Sequence, residues 1–287
     1  MKKLTAVILI LLSLFCLCSC KAGDIDLGIY APYWNFWKYS SASSFTYSSA
    51  EITEVNITWV GGSIEVVSSK ESELSVTENS DGLEDDAKMH YFVKDGKLFI
   101  HYTKALYKED IDTSKKNLRV EIPEGISLDI DSVNAFVKIG EMAMGEIKIT
   151  NVSGHIEFSS LAASKIKIEN VDGHVLAGKI VADEFYSDSV SGSLYISKIS
   201  ANNIETKTVS GKTTLGLAKK SEVDISGVSG DVELYVADEL GAMVTFSTMS
   251  GKFSSDKPHT TGEKYYTFGL GEIEIDVETV SGNLRIY

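Results

Sequence analysis

The segment Ile147-Lys-Ile-Thr-Asn-Val-Ser-Gly-His-Ile-Glu-Phe158 returns in similar form 19 residues later, as Ile166-Lys-Ile-Glu-Asn-Val-Asp-Gly-His-Val-Leu-Ala177. The glycine of this motif recurs at the same interval, and imperfect copies extend the series. The regular positions are Gly154, Gly173, Gly192, Gly211 and Gly230, and the imperfect copies are centred on Ala135, Gly251 and Gly282. A fixed interval of about twenty residues is typical of stacked-repeat proteins, in which each unit buries its apolar face only against its neighbours.

Apolar and polar residues alternate on both sides of the glycine. Ile147 and Ile149 precede it, and Ile156 and Phe158 follow it, each pair separated by one polar residue. A spacing of two predicts strands with one face buried, and Ile, Val and Phe suit that environment. The valine two residues before each glycine is expected in the same core, and the Ser or Asp between them is expected to form a polar ladder at the corner. These valines are Val152, Val171, Val190, Val209 and Val228.

Two short strands in 19 residues can close a coil only if successive coils stack in parallel, about 4.8 Å apart. We therefore predict an all-β fold, a single-stranded parallel β-solenoid with coils of about 19 residues. Residues 51–287 form it, with irregular coils around Gly62 and Gly96 in 51–127 and regular repeats in 128–287. A β-sandwich is the alternative fold, but it does not require the same residue type at each position of every unit.

The first twenty residues predict export. A basic start and an apolar stretch from Leu4 to Leu17 form a secretory signal that is too short to span a bilayer. The sequence Leu17-Cys-Ser-Cys20 resembles a bacterial lipobox, so residues 1–19 are interpreted as a lipoprotein signal peptide and Cys20 as the lipid attachment site. An ordinary signal peptide cleaved nearby is the alternative. The lipid-anchored chain is expected at the bacterial cell membrane or outer membrane, facing outside the cytoplasm.

Cysteine content and charge restrict the partners. All three cysteines, Cys16, Cys18 and Cys20, lie in the signal segment, so no disulfide is expected in the mature domain. The chain has a formal net charge of −14. Such an excess of acidic residues disfavours nucleic acid and anionic lipid surfaces as partners.

Residues 20–50 hold the anchor and an aromatic-rich linker or cap that includes Trp34 and Trp37. Three roles are compatible with this composition. The segment can cap the first coil, because exposed solenoid ends pair with other chains. It can lie at the membrane interface, where Trp and Tyr are enriched, or it can form an aromatic platform for sugar.

The search for chemistry predicts no catalytic residue, no metal site and no cofactor. His155 and His174 lie one repeat apart and can share a metal if a third ligand exists, but two exposed turn residues are the simpler interpretation. The long interval before Gly282 contains the weak candidates for partner contacts. These are Lys264, Tyr265, Tyr266 and Phe268, and the alternative is that the three aromatic residues pack back over the coil.

The repeated Val-Ser-Gly units, the segment Asp95-Gly96-Lys-Leu98-Phe-Ile100 and the run from Gly269 to Ile286 carry a resemblance. The chain resembles the putative-adhesin family of bacterial envelope β-strand-repeat proteins, over roughly residues 51–287. The resemblance implies adhesion by analogy, and it supplies no catalytic residues to transfer.

These observations predict a non-enzymatic surface lipoprotein that acts as an adhesin-like or scaffold and docking module of the cell envelope. Its expected partners are an envelope protein or a glycan, and the membrane through the lipid. The first alternative is a polysaccharide-binding or polysaccharide-cleaving β-helix protein. A further alternative is a partner of an envelope-stress sensor.

Overall fold

The computed structural model describes residues 39–104, 111–262 and 265–287. Within these ranges the regular structure consists of β-strands and of short 3₁₀ turns at Ser49–Glu51, Asp85–Ala87 and Thr113–Lys115. The all-β prediction is therefore confirmed. The strands are β1 (Ser40–Ser41), β2 (Ser44–Ser48), β3 (Glu54–Ser68), β4 (Glu73–Asn79), β5 (His90–Lys94), β6 (Lys97–His101), β7 (Asn117–Ile122), β8 (Ser127–Ile139), β9 (Met142–Ala143), β10 (Glu146–Asn151), β11 (Ile156–Asn170), β12 (Val175–Ser189), β13 (Leu194–Ser200), β14 (Asn203–Thr208), β15 (Thr213–Leu217), β16 (Glu222–Gly227), β17 (Val232–Val236), β18 (Ala242–Thr248), β19 (Phe253–Ser255), β20 (Thr260–Thr261), β21 (Tyr266–Phe268), β22 (Ile273–Thr279) and β23 (Leu284–Ile286).

Strands of neighbouring repeats pair in parallel, and their register equals one repeat. Ile147 lies opposite Ile166 in the β10–β11 pair, and Phe158 lies opposite Ala177 in the β11–β12 pair. The same register continues from β12 through β14 to β16 and from β13 through β15 to β17. The strands thus form an open, solenoid-like stack in which equivalent residues of adjacent repeats are one strand spacing apart.

The core lies between the strands that precede the bend glycine and the strands that follow it. The column seven residues before the glycine is almost fully buried, and so are the columns two and four residues after it, apart from a few substituted positions. The first column contains Ile147, Ile166, Phe185, Ile204 and Val223, each no more than 1% exposed. Stacking like residues fills the interior without voids, and burial of this apolar surface is the main stabilising contribution.

The valine before each Ser-Gly pair does not lie in the core, so the prediction for that column is wrong. These valines are half-buried. The residue before the valine faces inward instead in three repeats, as buried Asn151, Asn170 and Thr208, and in the other two it is Gly227 and the half-buried Ser189. Asn151 accepts a hydrogen bond from the backbone N–H of Gly154 at 3.3 Å, and Thr208 accepts one from Gly211 at 2.9 Å. The chain begins to turn one residue early because this side chain satisfies a backbone N–H at the bend that would otherwise be buried without a partner.

The residue between the valine and the glycine forms the predicted polar ladder on the outside of the bend. Ser191 donates to the carboxylate of Asp172 in the preceding repeat at 3.0 Å. Ser153 makes a longer contact of 3.4 Å with Asn134. The ladder therefore connects adjacent repeats through side chains as well as through the backbone.

The order of the repeats in space departs from their order in the sequence at both ends. Near the C-terminus, β22 and β23 lie between the β16–β17 repeat and the β18–β19 repeat, so Ile275 has Val223 on one side and Val244 on the other. Near the N-terminus, β3 lies between β8 and the strands β6 and β7. The prediction that successive turns simply stack in chain order is wrong at these two places.

Gly96 is not the bend glycine of a coil, contrary to the prediction. Asp95 and Gly96 have φ angles of 51° and 75° and form the two-residue turn between the antiparallel strands β5 and β6. Two consecutive residues with positive φ match the twist of a tight hairpin. The apolar alternation after Gly96 is that of a hairpin strand and has the same period as a coil strand, which explains the misassignment.

Antiparallel strands cover both ends of the stack. At the C-terminal end β21 pairs with β18, and β20 pairs with β21. At the other end β4 pairs with β7, β2 pairs with β4, and β1 pairs with β5. Residues 40–48 of the predicted linker or cap therefore belong to the sheet. Such strands shield the parallel edges from pairing with another chain.

His101 is buried beneath Tyr39 at the N-terminal end, and its burial makes stability depend on pH. The ring centroids lie 5.1 Å apart, and the Tyr39 hydroxyl lies 3.2 Å from Nε2 of His101. Burial lowers the pKa of His101 from 6.5 to about 4. In this interval the unfolded chain binds a proton that the folded chain excludes. The free energy of unfolding should therefore fall as the pH falls from 6.5 towards 4, by as much as about 3 kcal/mol.

The variant His101→Phe keeps an aromatic ring at this position and removes the titration. We expect its unfolding free energy, measured by urea denaturation between pH 4 and 6.5, to change with pH less steeply than that of the wild type. The difference should reach about 1.4 kcal/mol per pH unit. His90, whose pKa burial also lowers, is present in both proteins, so the slopes differ through the loss of His101 and of its interaction with His90. Equal slopes for the two proteins would contradict the assignment to His101.

Candidate functional site

The sequence-predicted contact residues near the C-terminus lie on the end-covering hairpin and the loop before it. Phe268 is 2% exposed and belongs to the core, and Tyr266 stacks on Phe253 with ring centroids 3.9 Å apart. A partner cannot reach Phe268, so its assignment as a contact is corrected: it pairs opposite Ala242 and closes the last repeat. Tyr265 is 46% exposed and stays a predicted contact. Four further predicted residues, Cys20, Trp34, Trp37 and Lys264, lie outside the described residues.

His155 and His174 stack on each other at the surface. Their rings are nearly parallel, with centroids 5.1 Å apart, and Nδ1 of His155 accepts the backbone N–H of His174 at 3.2 Å. In the described part of the chain, no group of three His, Cys, Asp or Glu side chains is arranged to hold a metal ion. The stacked histidines thus form a surface contact between two adjacent repeats.

A row of exposed apolar side chains lies on the outer surface of the strands that follow the bend glycine. We call it the tyrosine face and define it by Leu176, Tyr195, Tyr235 and Tyr287, which project from β12, β13, β17 and the end of β23. Leu176 is 50% exposed, and Tyr195 and Tyr235 are each 45% exposed. Exposed tyrosines concentrated on one rigid face are typical of binding surfaces, because the ring offers apolar area and the hydroxyl a hydrogen bond.

The floor of the tyrosine face is strand β15. All five of its residues are buried, including Thr214 and Gly216, which occupy the outward positions between Tyr195 and Tyr235. The adjacent strand β13 bulges at this point, because Ser197 and Lys198 both face outward where β15 has only Gly216. A Cβ at Gly216 would lie 2.0 Å from the carbonyl oxygen of Ser197. The bulge therefore requires glycine at this position.

Tyr235 and Tyr287 form the aromatic end of this surface. Their rings are stacked, with centroids 4.5 Å apart and an interplanar angle of 6°. The guanidinium of Arg285 lies 4.7 Å from the centre of the Tyr287 ring. Desolvation raises the pKa of Tyr235, and the neighbouring Tyr287 raises it further. The hydroxyl of Tyr235 therefore stays protonated and can donate a hydrogen bond. One face of Tyr235 is covered by Tyr287.

Some charged side chains around the tyrosine face have an ion-pair partner, and others do not. Glu233 pairs with Lys212 at 2.8 Å, and Asp256 pairs with Arg285 at 2.9 Å. The pKa of Lys212 and that of Arg285 are both raised, and the hydrogen bond to the carboxylate is the largest cause in each case. Lys179 and Lys198 are exposed, lie opposite each other on β12 and β13, and belong to none of the ion pairs formed by the described residues. The unpaired charges next to Leu176 and Tyr195 are therefore these two lysines and, on the adjacent strand β11, the carboxylate of Glu157 opposite Leu176.

Two other groups of charged side chains are self-contained. A depression of about 230 Å³ on the opposite side of the stack is lined by three lysines, but each of them has a carboxylate partner. Near the N-terminal end, the fully buried Lys116 pairs with Glu78 and donates to two carbonyl oxygens at 2.6 and 2.8 Å. Burial lowers the pKa of Lys116, against the opposing effect of Glu78. In neither group is a lysine without a carboxylate partner.

Sequence reasoning did not find the tyrosine face, although the signal is present in the repeat. Tyr195 stands three residues after its glycine, and Tyr235 and Tyr287 stand five residues after theirs. These are outward positions of the strand, where most repeats carry Glu, Lys, Ser or Gly. A search of the outward columns for tyrosine would have found all three, and the fold then places them on one surface.

The comparisons with known proteins identify a family and a fold. The family described as Toastrack DUF4097 matches residues 52–287. No curated protein matches the sequence. In the ranges that the structure describes, no helix is long and apolar enough to cross a membrane.

Several solved structures are similar to this one at low sequence identity. A putative lipid binding protein from Parabacteroides distasonis ATCC 8503 is 19% identical, with a TM-score of 0.55 over 85% of this chain and 96% of that chain. A putative adhesin from Bacteroides fragilis NCTC 9343 is 14% identical, with a TM-score of 0.51 over 85% of this chain and 96% of that chain. Likeness at this level shows a shared fold, and it does not show that a ligand is shared.

Proposed function

The chain belongs to the Toastrack DUF4097 family, and on that premise we propose that it is an exported, non-enzymatic surface module that docks a partner of the cell envelope through the tyrosine face, in the manner of an adhesin. One solved structure with the same fold is described as a putative adhesin. The proposal treats the repeats as one single-stranded parallel β-solenoid that holds the binding surface rigid.

The tyrosine face is the single observation that carries this proposal. It is the place where exposed aromatic side chains and unpaired lysines share one surface of the repeat array. Because the strands beneath it are paired on both sides, little conformational entropy is lost when a partner binds. A rigid surface with tyrosine at its centre has the composition found in the energetically dominant part of interfaces.

Anchoring completes the proposal. A lipid on Cys20, after removal of residues 1–19, holds the chain at the membrane and leaves residues 20–38 as the connection to the first described strands. One acyl chain binds a membrane only marginally, whereas several hold it stably. The net charge of −14 keeps the repeat array away from an anionic envelope surface.

The experiment measures attachment of envelope vesicles to the immobilised full-length chain. We expect the wild type to retain vesicles and the double variant Tyr195→Ser, Tyr235→Ser to lose at least about 90% of the retention, because both apolar contacts are removed. The matched control is Tyr186→Ser, a half-buried tyrosine on the opposite side of the stack, which should retain vesicles like the wild type.

The same vesicle assay distinguishes the two parts of the proposal. In cells, the variant Cys20→Ser should lose acyl labelling and leave the membrane fraction, while the purified variant should still retain vesicles. Retention by the double tyrosine variant equal to that of the wild type would exclude the tyrosine face. Absence of retention by every variant, wild type included, would exclude adhesin-like docking.

A further inference from the structure

From the charges beside the tyrosine face we infer that its partner is an acidic polysaccharide, a polymer in which sugar rings carry carboxylates. This inference rests on the proposed function, since it names the partner of the same surface. It follows from three features of the face: its alternating chemistry, its like-charged lysines and its linear shape.

The chemistry of the face repeats from one strand to the next. Strand β12 presents Leu176 and Lys179, and strand β13 presents Tyr195 and Lys198 in the same register. These two strands, about 4.8 Å apart, thus each offer one apolar contact and one cation, whereas the next strand, β15, has Thr214 and Gly216 at the outward positions. An acidic polysaccharide has the complementary repeat, because each uronic acid ring has an apolar C–H face and one carboxylate.

Lys179 and Lys198 lie directly opposite each other, which costs energy in the free protein. Two like charges directly opposite each other on neighbouring strands repel each other. Other lysines of the repeat array relieve such repulsion through carboxylate partners, as Lys165 does with Glu184 at 3.0 Å. The two lysines beside the tyrosines form no such pair among the described residues, so a bound anion would remove the repulsion.

The carboxylates next to the tyrosines on β17 are already engaged, whereas Glu157, opposite Leu176 on β11, belongs to none of the ion pairs formed by the described residues. Glu233 pairs with Lys212, and Asp231 accepts two hydrogen bonds of 2.9 Å from Asn283. A polyanion therefore meets a local positive charge on a chain whose net charge is −14. General attraction between ligand and protein is absent, so any binding of a polyanion must come from a local site of this kind.

The shape and composition favour a glycan over a folded protein. The row extends along the stack from β12 to the end of β23. Tyr195 and Tyr235 are separated by two strand spacings, about 9.6 Å, along the stack and by two residues along the strands. Protein–protein interfaces need a broad apolar patch and are poor in lysine at their centre. An extended polymer needs only a narrow row.

The test uses polygalacturonate as the acidic probe and dextran as the neutral one, with the full-length chain in detergent micelles and calorimetry as the readout. We expect polygalacturonate to bind, dextran not to bind, and the affinity to fall as salt is added. The double variant Lys179→Gln, Lys198→Gln should lose about tenfold or more in affinity, and Tyr195→Ser about tenfold. The matched control Lys138→Gln, an exposed lysine on the same side but away from the tyrosines, should bind like the wild type.

Each of the other possible outcomes contradicts one part of the inference or of the proposed function. Equal binding of dextran would show that acidity is irrelevant, and unchanged binding by the lysine and tyrosine variants would place the site elsewhere. If vesicles are retained through the tyrosine face but polygalacturonate does not bind, the inference fails and the proposed function stands. If protease treatment of the vesicles abolishes their retention and periodate treatment does not, the partner is a protein. Absence of vesicle retention would remove both.

Discussion

The variant Gly192→Ala is expected to lose about 3 kcal/mol or more of unfolding free energy, although it adds a single methyl group. A Cβ at this position would lie 2.0 Å from the carbonyl oxygen of Gly173, in the neighbouring repeat. That oxygen is part of the backbone and cannot rotate away, so the two repeats must separate. Separation lengthens the hydrogen bonds between β12 and β13 and opens the core beneath them. Forced overpacking of this kind typically costs 1–3 kcal/mol and more where the backbone is rigid.

The measurement is the urea midpoint followed by circular dichroism. The matched control is Gly140→Ala, because a Cβ there would meet its nearest neighbour, the carbonyl oxygen of Val66, at an ordinary 3.6 Å. We expect the control to change the unfolding free energy by less than about 1 kcal/mol. Equal effects of the two substitutions would show that the close approach of the repeats does not explain the repeated glycine.

Removal of residues 272–287 is expected to release the whole segment 242–268 from the fold. Strand β18 pairs with β21 and β22, and β19 pairs with β23, so the last repeat provides their connection to the rest of the stack. Without it, the ordered part should end near Val236, and limited proteolysis followed by mass spectrometry should remove the residues beyond that point. Backbone groups of an unpaired segment exchange with solvent and are open to cleavage.

This truncation tests the order of the repeats directly. If the repeats were stacked in chain order, β18 and β19 would rest on β16 and β17, and a chain that ends at residue 271 would keep them protected. The control is a chain that ends at residue 236. We expect both truncated chains to give the same protease-resistant core, since the repeats before residue 236 contact only their neighbours. Protection of 242–255 in the longer chain would contradict the inserted position of β22 and β23.

Much of the fold could be predicted because the repeat is a local signal. The alternation of Ile147, Ile149, Ile156 and Phe158 specifies strands, and its 19-residue interval specifies parallel stacking of equivalent positions. The valine column was predicted wrongly because apolar character alone does not show where a strand ends. The hydrogen bond from Gly154 to Asn151 decides that, and it joins a side chain to a backbone group across the bend.

The candidate site could be predicted only in small part. The sequence predicted partner contacts in the loop with Tyr265, Tyr266 and Phe268, because an interruption in a repeat suggests recognition. Phe268 is instead needed to cover the end of the stack, where an exposed edge would otherwise remain. The tyrosines of the tyrosine face are visible in the sequence as outward residues of the repeats, but they stand at different distances from their glycines, and only the fold shows that they share one surface.

The sequence by itself determined that this chain is all-β, which side chains face inward in most columns, and which glycines the bends need, because these properties depend on neighbours within one or two repeats. Only the tertiary structure decided that β22 and β23 enter between two earlier repeats, and that Tyr287 thereby stacks on Tyr235. Parallel strands with like residues can pair in several orders at similar energy. The choice among those orders therefore depends on how both ends of the stack are covered, which no single repeat specifies.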